Sequence, residues 1–341
     1  MKIGNIDLSK EVMIIAEIGN NHEGNYRNAE EMIKLASESG VHAVKFQTFK
    51  TEYYINIKDQ KRYTQLKSYE LSYKQFERLK NLAEQLGLIF LSTPFDLDSA
   101  TFLNDIVPAF KISSGDNTFF PLIKYIAETG KPIILSTGYV DMAQIIETKN
   151  YITEIWSKNK IEQSLAILHC VSDYPVENEY ANLKAIKSMK NLLSCEIGYS
   201  DHTIGIDAAI IAVTLGARII EKHFTIDKNF SSFRDHSISA DPDDMKNMVD
   251  KIKNTLEMLG TGEKVAQKNE VNSLSLVRRS ITAKHDIPVN TIIKKSDITW
   301  VRPHNGLSPG KEHLIIGKYS MRPISKGEPI IPEMLREREI L

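Results

Sequence analysis

Eight short apolar runs, each followed by a stretch of helical periodicity, restrict the possible folds of this chain more than any other pattern does. In chain order they are VMIIAEIG, AVKFQT, LIFLST, AFKISS, PIILST, LAILHC, CEIGYS and RIIEKHF. After the second run, SYKQFERLKNLAEQLG has Ser72 and Gln75 at the spacing of a capping box and ends at Gly87. Eight buried strands that alternate with helices over roughly 250 residues predict an α/β fold, the closed (β/α)8 barrel.

A doubly wound open sheet is the alternative architecture for the same order of elements. Sheets of that kind commonly bind nucleotides through a glycine-rich loop that follows a strand. No GxGxxG or GxxxxGK[ST] motif follows any of the eight runs. The barrel is therefore the preferred prediction, and the open sheet stays as the alternative.

The last part of the chain differs from the rest in its sequence pattern, and this difference predicts a second domain. At 341 residues, the chain is longer than a single minimal core needs. We predict a barrel domain over residues 1–265, a polar linker over 266–279 and a small β-rich domain over 280–341. In the small domain, DIPVNTIIKKSDI is echoed by PISKGEPIIPEML, so that Ile287 matches Ile324 and Ile293 matches Ile330. The echo predicts two similar turn-and-strand units.

Charge and cysteine usage exclude several classes of function. The formal net charge of -1 gives no reason to expect a nucleic acid or an acidic membrane surface as a partner. Cys170 and Cys195 lack CxxC spacing, which suits a reducing cytosol and excludes a zinc site built from cysteines. No apolar run approaches the length of a membrane span or fits a signal peptide. We expect a soluble, cytoplasmic protein.

Polar residues gather at the ends of the predicted strands, where barrel enzymes carry their active sites. Lys45 and Lys111 lie inside apolar strands, where an unpaired ammonium group would cost several kcal/mol. Either lysine alone could instead point outward between the helices. Short hydroxyl donors stand at the ends of other strands, namely Thr93, Ser114, Ser136 and Ser200. These cations and hydroxyls together predict a small, multiply charged phosphate ligand.

His202 and His223 end the seventh and eighth strands, which are neighbours in a barrel. A single histidine in such a place is more often a core residue with satisfied hydrogen bonds. Two of them, each beside a carboxylate that can orient its ring, predict a divalent cation with open coordination positions. The site suits Mn2+, or Mg2+, Co2+ or Fe2+, better than a structural Zn2+. A metal-dependent amidohydrolase would need an HxH pair after the first strand, where this chain has His22 alone.

The motifs at the strand ends resemble those of the sialic acid, or nonulosonic acid, synthase family. They read AEIGNNHEG, VKFQTF, FLSTPFD, KISSGD, ILSTG, LHCVSDYP, GYSDHT and IEKHFT, in that order. The tail, with DIPVNTIIKKSDI and VRPHNGLSP, is similar to the antifreeze-like SAF domain that those synthases carry. The resemblance covers nearly the whole chain, and it implies a TIM barrel followed by a SAF domain.

The resemblance also implies a reaction and a set of binding residues. The family joins phosphoenolpyruvate to an open-chain 2-acetamido hexose such as N-acetylmannosamine, and it yields a nine-carbon 2-keto acid and phosphate. The residues implied to hold phosphoenolpyruvate are Lys45, Thr93, Lys111, Ser114, Ser136, Ser172 and Ser200. The residues implied to face the sugar are Glu17, Gln47, Asp116, Tyr174, Asp235 and Arg302.

A smaller group of residues is implied to act in catalysis. It comprises Glu17, as the group for proton transfer, Lys45 and Lys111, and the metal ligands His202 and His223. A metal held by the two histidines would polarise the aldehyde oxygen of the sugar. Arg302, in VRPHNG, resembles an arginine that reaches from the SAF domain of one subunit into the barrel of the other. That resemblance implies a domain-swapped homodimer with shared active sites.

Two departures from the family pattern leave the sugar open. Phe233 and Arg234 stand where a Gly-Pro pair is common, and Asp116 stands where many relatives have Glu. Both positions face the sugar in the family, so they would change which substituents fit. A legionaminic-type acid made from a 2,4-diacetamido-trideoxy sugar is therefore a second candidate product. A synthase of a seven- or eight-carbon keto acid and a non-catalytic carbohydrate-binding or ice-binding protein also stay open as functions.

Overall fold

The computed structural model of the protein describes residues 1–337. Its barrel strands are β1 (Met13–Gly19), β2 (Ala43–Thr48), β3 (Ile89–Pro94), β4 (Phe110–Ile112), β5 (Ile133–Ser136), β6 (Leu165–Cys170), β7 (Glu196–Asp201) and β8 (Ile219–His223). All hydrogen-bonded neighbours are parallel, in the order β3, β2, β1, β8, β7, β6, β5, β4. Because β3 and β4 also contact each other, the sheet is a nearly closed cylinder. Each strand coincides with a predicted run, and the predicted (β/α)8 barrel is confirmed.

Helices connect the barrel strands and surround them. In chain order they are α1 (Tyr26–Glu38), α2 (Thr51–Tyr54), α3 (Gln60–Tyr69), α4 (Tyr73–Gln85), α5 (Leu97–Asn104), α6 (Phe120–Glu128), α7 (Met142–Asn159), α8 (Lys184–Leu192), α9 (Asp207–Thr214), α10 (Arg234–Ile238) and α11 (Pro242–Leu259). Ser72 and Gln75 form the predicted capping box before α4, because each side chain accepts from the backbone N–H of the other. Such caps satisfy N–H groups that a helix leaves unpaired, so local sequence sets where the helix begins. Within residues 1–337, no helix is long and apolar enough to span a membrane.

Side chains that point into the barrel change from apolar to polar along the strands. Alternate residues of a strand face the same side of the sheet. Buried apolar residues fill the lumen near the N-terminal ends of the strands, among them Ile15, Ala43, Leu91, Ile134 and Leu168. A hairpin of two short strands, Lys2–Ile3 and Ile6–Asp7, packs its apolar residues into the same cluster and closes that end. Two residues beyond this layer, the lumen carries Glu17, Lys45 and Glu221.

The described residues from Thr261 onward form a second compact unit, separate from Met1–Gly260. Its described elements are α12 (Lys268–Val271), α13 (Leu274–Val277), β9 (Ser280–Ala283), β10 (Ile298–Val301), β11 (Tyr319–Ser320) and β12 (Leu335–Arg336). β9 pairs with β10 and β11 with β12, and both pairs are antiparallel. Ile287 and Ile324 exchange backbone hydrogen bonds, so the two echoed segments lie side by side. Ile293 and Ile330, the other matched pair, are both buried in the core of this unit.

Candidate active site

Two lysines lie inside the barrel near its C-terminal mouth. Lys45 and Lys111 are 3% and 2% exposed, and both contact the lumen-facing carboxylate of Glu221, so neither points outward between the helices. Lys45 Nζ lies 2.8 Å from Glu17 Oε2 and donates to Thr93 Oγ1 at 3.1 Å. Lys111 Nζ donates to Ser136 Oγ at 2.6 Å. Two cations and two hydroxyls therefore share one enclosed space, which is the arrangement that binds a compact anion.

Glu221 lies between the two lysines and is absent from the predicted set of site residues. Its carboxylate oxygens are 3.7 Å from Lys45 Nζ and 3.7 Å from Lys111 Nζ, and one of them accepts from Ser200 Oγ at 3.0 Å. Burial raises the pKa of Glu221, but the positive charges of Lys111 and Lys45 lower it by more than burial raises it. The pKa of Glu221 therefore lies below its usual range. Glu221 is thus a counterion for both lysines. Its position two residues before His223, on the same face of β8, is the signal that could have identified it.

Glu17 lies near the end of β1 and is held by a chain of side-chain hydrogen bonds. Gln47 Nε2 donates to Glu17 Oε1 at 3.2 Å, and Asn20 Nδ2 donates to Gln47 Oε1 at 2.8 Å. Burial raises the pKa of Glu17 to about 6, although Lys45 acts in the opposite direction. A buried carboxyl group that titrates near neutral pH is suited to proton transfer.

His202 and His223 converge at the mouth of the barrel. Their ring centroids are 5.4 Å apart, and both side chains are buried. His202 Nδ1 lies 2.8 Å from Val171 O, which leaves the Nε2 atom of that ring available. His223 Nδ1 is buried and has no hydrogen-bond partner among the described residues. Burial and nearby positive charges hold the pKa of His223 well below its usual range, so the ring is neutral and able to bind a cation.

The carboxylates beside the two histidines do not orient them, so that expectation is wrong. Asp201 binds Lys222 and Thr203, because neighbouring residues at the end of a strand point to opposite faces. Glu221 faces the lumen but contacts the lysines there. The hydrogen-bond partner of His202 Nδ1 is instead a backbone carbonyl, Val171 O.

The two imidazoles fit a divalent cation with few protein ligands. A buried ring nitrogen without a partner is rare in proteins, and a metal ion would satisfy the one on His223. Across residues 1–337, no group of three or more His, Cys, Asp or Glu side chains could hold a metal. Two histidines would therefore leave the other coordination positions to water and substrate, as in open catalytic sites. The identity of the metal stays a prediction.

Ser114 and Ser172 converge on the backbone of Gly138, in the loop after β5. The Gly138 N–H donates to Ser114 Oγ at 2.9 Å. A Cβ atom at position 138 would lie 2.1 Å from Ser172 Oγ and 2.9 Å from Ser114 Oγ. Only glycine leaves room for the two hydroxyls to lie this close to the backbone at position 138. We call these three residues the hydroxyl cradle; its glycine is a further site residue outside the predicted set.

Tyr174, predicted to face the sugar, lies beside the histidine pair, and Asp235, also predicted to face the sugar, is linked to Tyr174 through Arg234. The Tyr174 ring stacks on His202 with centroids 4.2 Å apart. The Arg234 guanidinium lies over the Tyr174 ring, 4.3 Å from its centroid, and Arg234 Nε donates to Asp235 Oδ1 at 3.2 Å. Arg234 thus joins the predicted sugar residues through direct contacts with two of them.

The remaining predicted residues are Asp116 and Arg302. Asp116 lies in a single helical turn after β4, where its Oδ2 accepts from Ser113 Oγ at 2.6 Å, and burial raises its pKa. Arg302 belongs to the second unit and is exposed. Its part in the site stays a prediction, whereas the rest of the predicted site residues all belong to the barrel unit.

A family model described as the NeuB family matches residues 32–264, and a SAF domain model matches residues 278–336. The chain belongs to the NeuB family. An uncharacterized protein of Methanocaldococcus jannaschii is 42% identical over 93% of this chain and 93% of its own. The N,N'-diacetyllegionaminic acid synthase of Campylobacter jejuni is 38% identical over 94% of this chain and 99% of its own. The crystal structure of the N-acetylneuraminic acid (sialic acid) synthetase from Leptospira borgpetersenii, in complex with citrate, is 34% identical, with a TM-score of 0.74 over 80% of this chain and 94% of that one.

Membership of the NeuB family confirms the predicted resemblance. The SAF match confirms the predicted character of the tail. Two of the relatives named above are synthases of nonulosonic acids, in agreement with the predicted function of this NeuB-family chain. The roles of individual residues rest on the geometry described above and stay predictions.

Proposed function

We propose that this protein is a nonulosonic acid synthase that condenses phosphoenolpyruvate with an open-chain 2-acetamido hexose. The products are a nine-carbon 2-keto acid and phosphate. The observation that carries the proposal is the lumen in which Lys45 and Lys111 share buried space with hydroxyls, beside two converging imidazoles. A site of this kind can bind a compact anion next to a carbonyl group that must be polarised.

The lysines and hydroxyls form the phosphoenolpyruvate half of the proposed site. Its residues are Lys45, Thr93, Lys111, Ser114, Ser136, Ser172 and Ser200. Charge-assisted hydrogen bonds from these groups would hold the phosphate and carboxylate oxygens in one orientation. The enol carbon would then face the sugar aldehyde, and this positioning supplies much of the rate enhancement. No covalent nucleophile is required.

Proton transfer is assigned to Glu17. Carbon 3 of the enol forms a bond with the aldehyde carbon, and the aldehyde oxygen takes a proton from solvent to become a hydroxyl. Water adds at carbon 2 and gives up one proton. Cleavage of the bond between carbon 2 and the phosphate oxygen then expels phosphate, and the added hydroxyl loses its remaining proton to become the 2-keto oxygen. The Glu17 carboxylate takes the proton of the attacking water, and its hydrogen bond with Gln47 orients it.

His202 and His223 would hold a divalent cation, with Mn2+ foremost and Mg2+ or Co2+ as alternatives. When bound, such an ion would supply Lewis-acid polarisation of the aldehyde oxygen. The buried, unpartnered Nδ1 atom of His223 supports this assignment. The stacked ring of Tyr174 restricts His202 to its present orientation.

The sugar half of the proposed site comprises Glu17, Gln47, Asp116, Tyr174 and Asp235. The relative from Campylobacter jejuni supports a 2,4-diacetamido sugar, and the one from Leptospira borgpetersenii supports N-acetylmannosamine. Arg234 adds a guanidinium group next to Tyr174 and Asp235. An extra donor there would discriminate between sugars by their substituents.

Arg302 is proposed to complete the site across a domain-swapped homodimer. The support is the similarity of its motif, VRPHNG, to the SAF segment that performs this role in the family, together with the SAF match over residues 278–336. A shared site would make each subunit dependent on its partner for sugar binding.

Phosphate release from phosphoenolpyruvate tests the proposed function. The assay pairs phosphoenolpyruvate with mannosamine derivatives and with pentose and tetrose phosphates, with Mn2+ or with a chelator. We expect release only with a 2-acetamido hexose and a divalent ion, and its loss in His202→Ala and His223→Ala. Release with pentose or tetrose phosphates alone would instead identify a seven- or eight-carbon synthase. If phosphoenolpyruvate neither reacts nor shifts the melting temperature, the protein is not a synthase.

A further inference from the structure

Lys222 and Asp201 form an ion pair that the proposed reaction does not use. Lys222 Nζ lies 2.9 Å from Asp201 Oδ2, and the two side chains are 1% and 0% exposed. The two residues are register partners across β7 and β8. Because side chains alternate along a strand, Lys222 faces the surrounding helices, whereas Glu221 and His223 face the lumen. The ion pair is therefore outside the lumen, yet each member directly precedes one of the two histidines.

A buried ion pair in this place needs an explanation other than stability. Transferring charges from water costs several kcal/mol per ion, and apolar residues of similar volume are often as stable or more so. Here both carboxylate oxygens of Asp201 are bonded. Oδ2 accepts from Lys222 at 2.9 Å, Tyr199 OH donates to Oδ1 at 3.2 Å, and Thr203 donates to Oδ1 from N and Oγ1, both at 2.8 Å. A buried polar network with every partner in place restricts the chain to one geometry.

The Lys222 ammonium group holds the chain on both sides of His202. It contacts Asp201, which precedes the histidine, and it donates to Thr203 O, which follows it, at 2.8 Å. Lys222 is itself adjacent to His223 in the chain. One ammonium group thus connects the segment that carries the first imidazole to the residue that precedes the second.

We propose that Lys222 and Asp201 are positioning residues that set the convergence of His202 and His223. The inference rests on the proposed function, because it takes the two histidines as metal ligands. Without the ion pair, the ends of β7 and β8 can shift against each other, and the rings no longer share one ion. Contacts behind metal ligands commonly change metal affinity by about 10–100-fold.

Titration of the full-length protein with Mn2+ alone tests this inference, with free Mn2+ measured by electron paramagnetic resonance. Lys222→Met is expected to bind Mn2+ about 10–100-fold more weakly than the wild type, and Lys222→Arg should restore much of the affinity. If Lys222→Met does not fold, the paired variant Lys222→Met/Asp201→Leu, which leaves no unpaired charge, takes its place and should show the same loss.

Ser92→Ala is the matched control. It removes a buried side-chain contact, Thr48 Oγ1 to Ser92 Oγ at 2.7 Å, between β2 and β3. It should lower the melting temperature and leave Mn2+ affinity unchanged. A folded Lys222→Met protein with wild-type Mn2+ affinity overturns the inference.

A second measurement separates this inference from the proposed metal site. Crystal structures of the metal-free wild type and Lys222→Met compare the separation of the two ring centroids, which is 5.4 Å here. If wild-type protein binds no Mn2+, the proposed metal site is wrong, and the ring separation alone decides the positioning role. An unchanged separation in the variant contradicts that role.

Discussion

Glu17 is a buried carboxyl group whose charge can change within an accessible range of pH. Burial raises its pKa to about 6, above the value of an exposed glutamate. It accepts a proton only when ionised, and it is ionised above that pKa. We expect activity to fall about tenfold per pH unit as the pH drops below about 6. Initial rates of phosphate release, measured at a series of acidic pH values, give this acidic limb of the pH–rate profile.

Glu17→Gln provides the corresponding variant. It should lower activity by about 10²–10⁴-fold and remove the limb assigned to this carboxyl group. Glu31→Gln, on the exposed side of α1, is the control and should keep the wild-type profile. An acid limb that persists in Glu17→Gln would assign the titration to another group.

The hydroxyl cradle supplies a prediction for Gly138, the residue of the cradle that has no side chain. Gly138→Ala places a methyl group 2.1 Å from Ser172 Oγ, and the small serine side chain must turn away to accommodate it. We expect the KM for phosphoenolpyruvate to rise about tenfold, with kcat less affected, because a ground-state contact is lost. Steady-state kinetics with varied phosphoenolpyruvate measure the effect.

Gly115→Ala is the control for this substitution, since its nearest neighbour would be Ser113 Oγ at 3.9 Å. It lies next to Ser114 and should leave the KM for phosphoenolpyruvate unchanged. Equal effects of the two substitutions would contradict the cradle and indicate a general sensitivity of these loops.

Individual charged residues could be predicted from the sequence only in part. Lys45 and Lys111 were predictable, because a lysine inside an apolar run must find a partner. Glu221 was not assigned to them, because the sequence alone does not show that its carboxylate reaches both lysines. Asp201 precedes His202 in the chain but faces the other way, so sequence proximity to a histidine was a misleading signal.

Arg234 begins α10, a single helical turn beside the histidine pair, and it carries a prediction at the scale of elements. Its guanidinium packs on Tyr174 and pairs with Asp235, so it supports the surface proposed for the sugar. Arg234→Ala should raise the KM for the sugar about tenfold and leave that for phosphoenolpyruvate unchanged. Steady-state kinetics with each substrate varied in turn measure the two values.

Arg27→Ala, at an exposed position on α1, is the control for Arg234→Ala and should have no effect. A rise in the KM for phosphoenolpyruvate of the same size would show that α10 supports the whole mouth of the barrel. Arg234→Ala should also reduce the differences in activity between mannosamine derivatives, because loss of the extra guanidinium relaxes discrimination between sugar substituents.

Strands and long helices were predictable because their periodicity reflects burial on one or both faces. The N-terminal hairpin was not predicted, since its strands are only two residues long and its apolar residues gain partners only in the closed lumen. Helix α3 was not predicted either, because Tyr69 is its one buried residue and no apolar face marks it. The segment predicted as a linker contains the short helices α12 and α13, whose residues are mostly exposed.

At the scale of the whole molecule, mixing of inactive variants tests the proposed domain-swapped dimer and its shared site. His202→Ala damages the barrel and Arg302→Ala damages the SAF unit, so a mixed dimer contains one site built entirely from intact parts. Random exchange of equal amounts should restore about one quarter of wild-type activity. Phosphate release before and after dissociation and reassociation of the subunits measures the recovery.

The control mixture combines His202→Ala with His223→Ala. Both changes lie in the barrel, so no mixed dimer has an intact site, and activity should stay absent. Recovery in the control, or none in the first mixture, would show that Arg302 does not act across subunits.

The counterion arrangement inside the barrel has a consequence for how the protein handles its anionic substrate. Lys45 and Lys111 are already matched by Glu17 and Glu221, so an incoming anion adds uncompensated negative charge to an enclosed space. Glu17, with a pKa of about 6, is the carboxyl group that can most readily take up a proton in response, and it must release that proton before it can accept one from the attacking water. Substrate capture should therefore draw protons from the surrounding buffer and weaken as the solution becomes more alkaline. Calorimetric heats that vary with the ionisation enthalpy of the buffer would register this uptake, and invariant heats would contradict it.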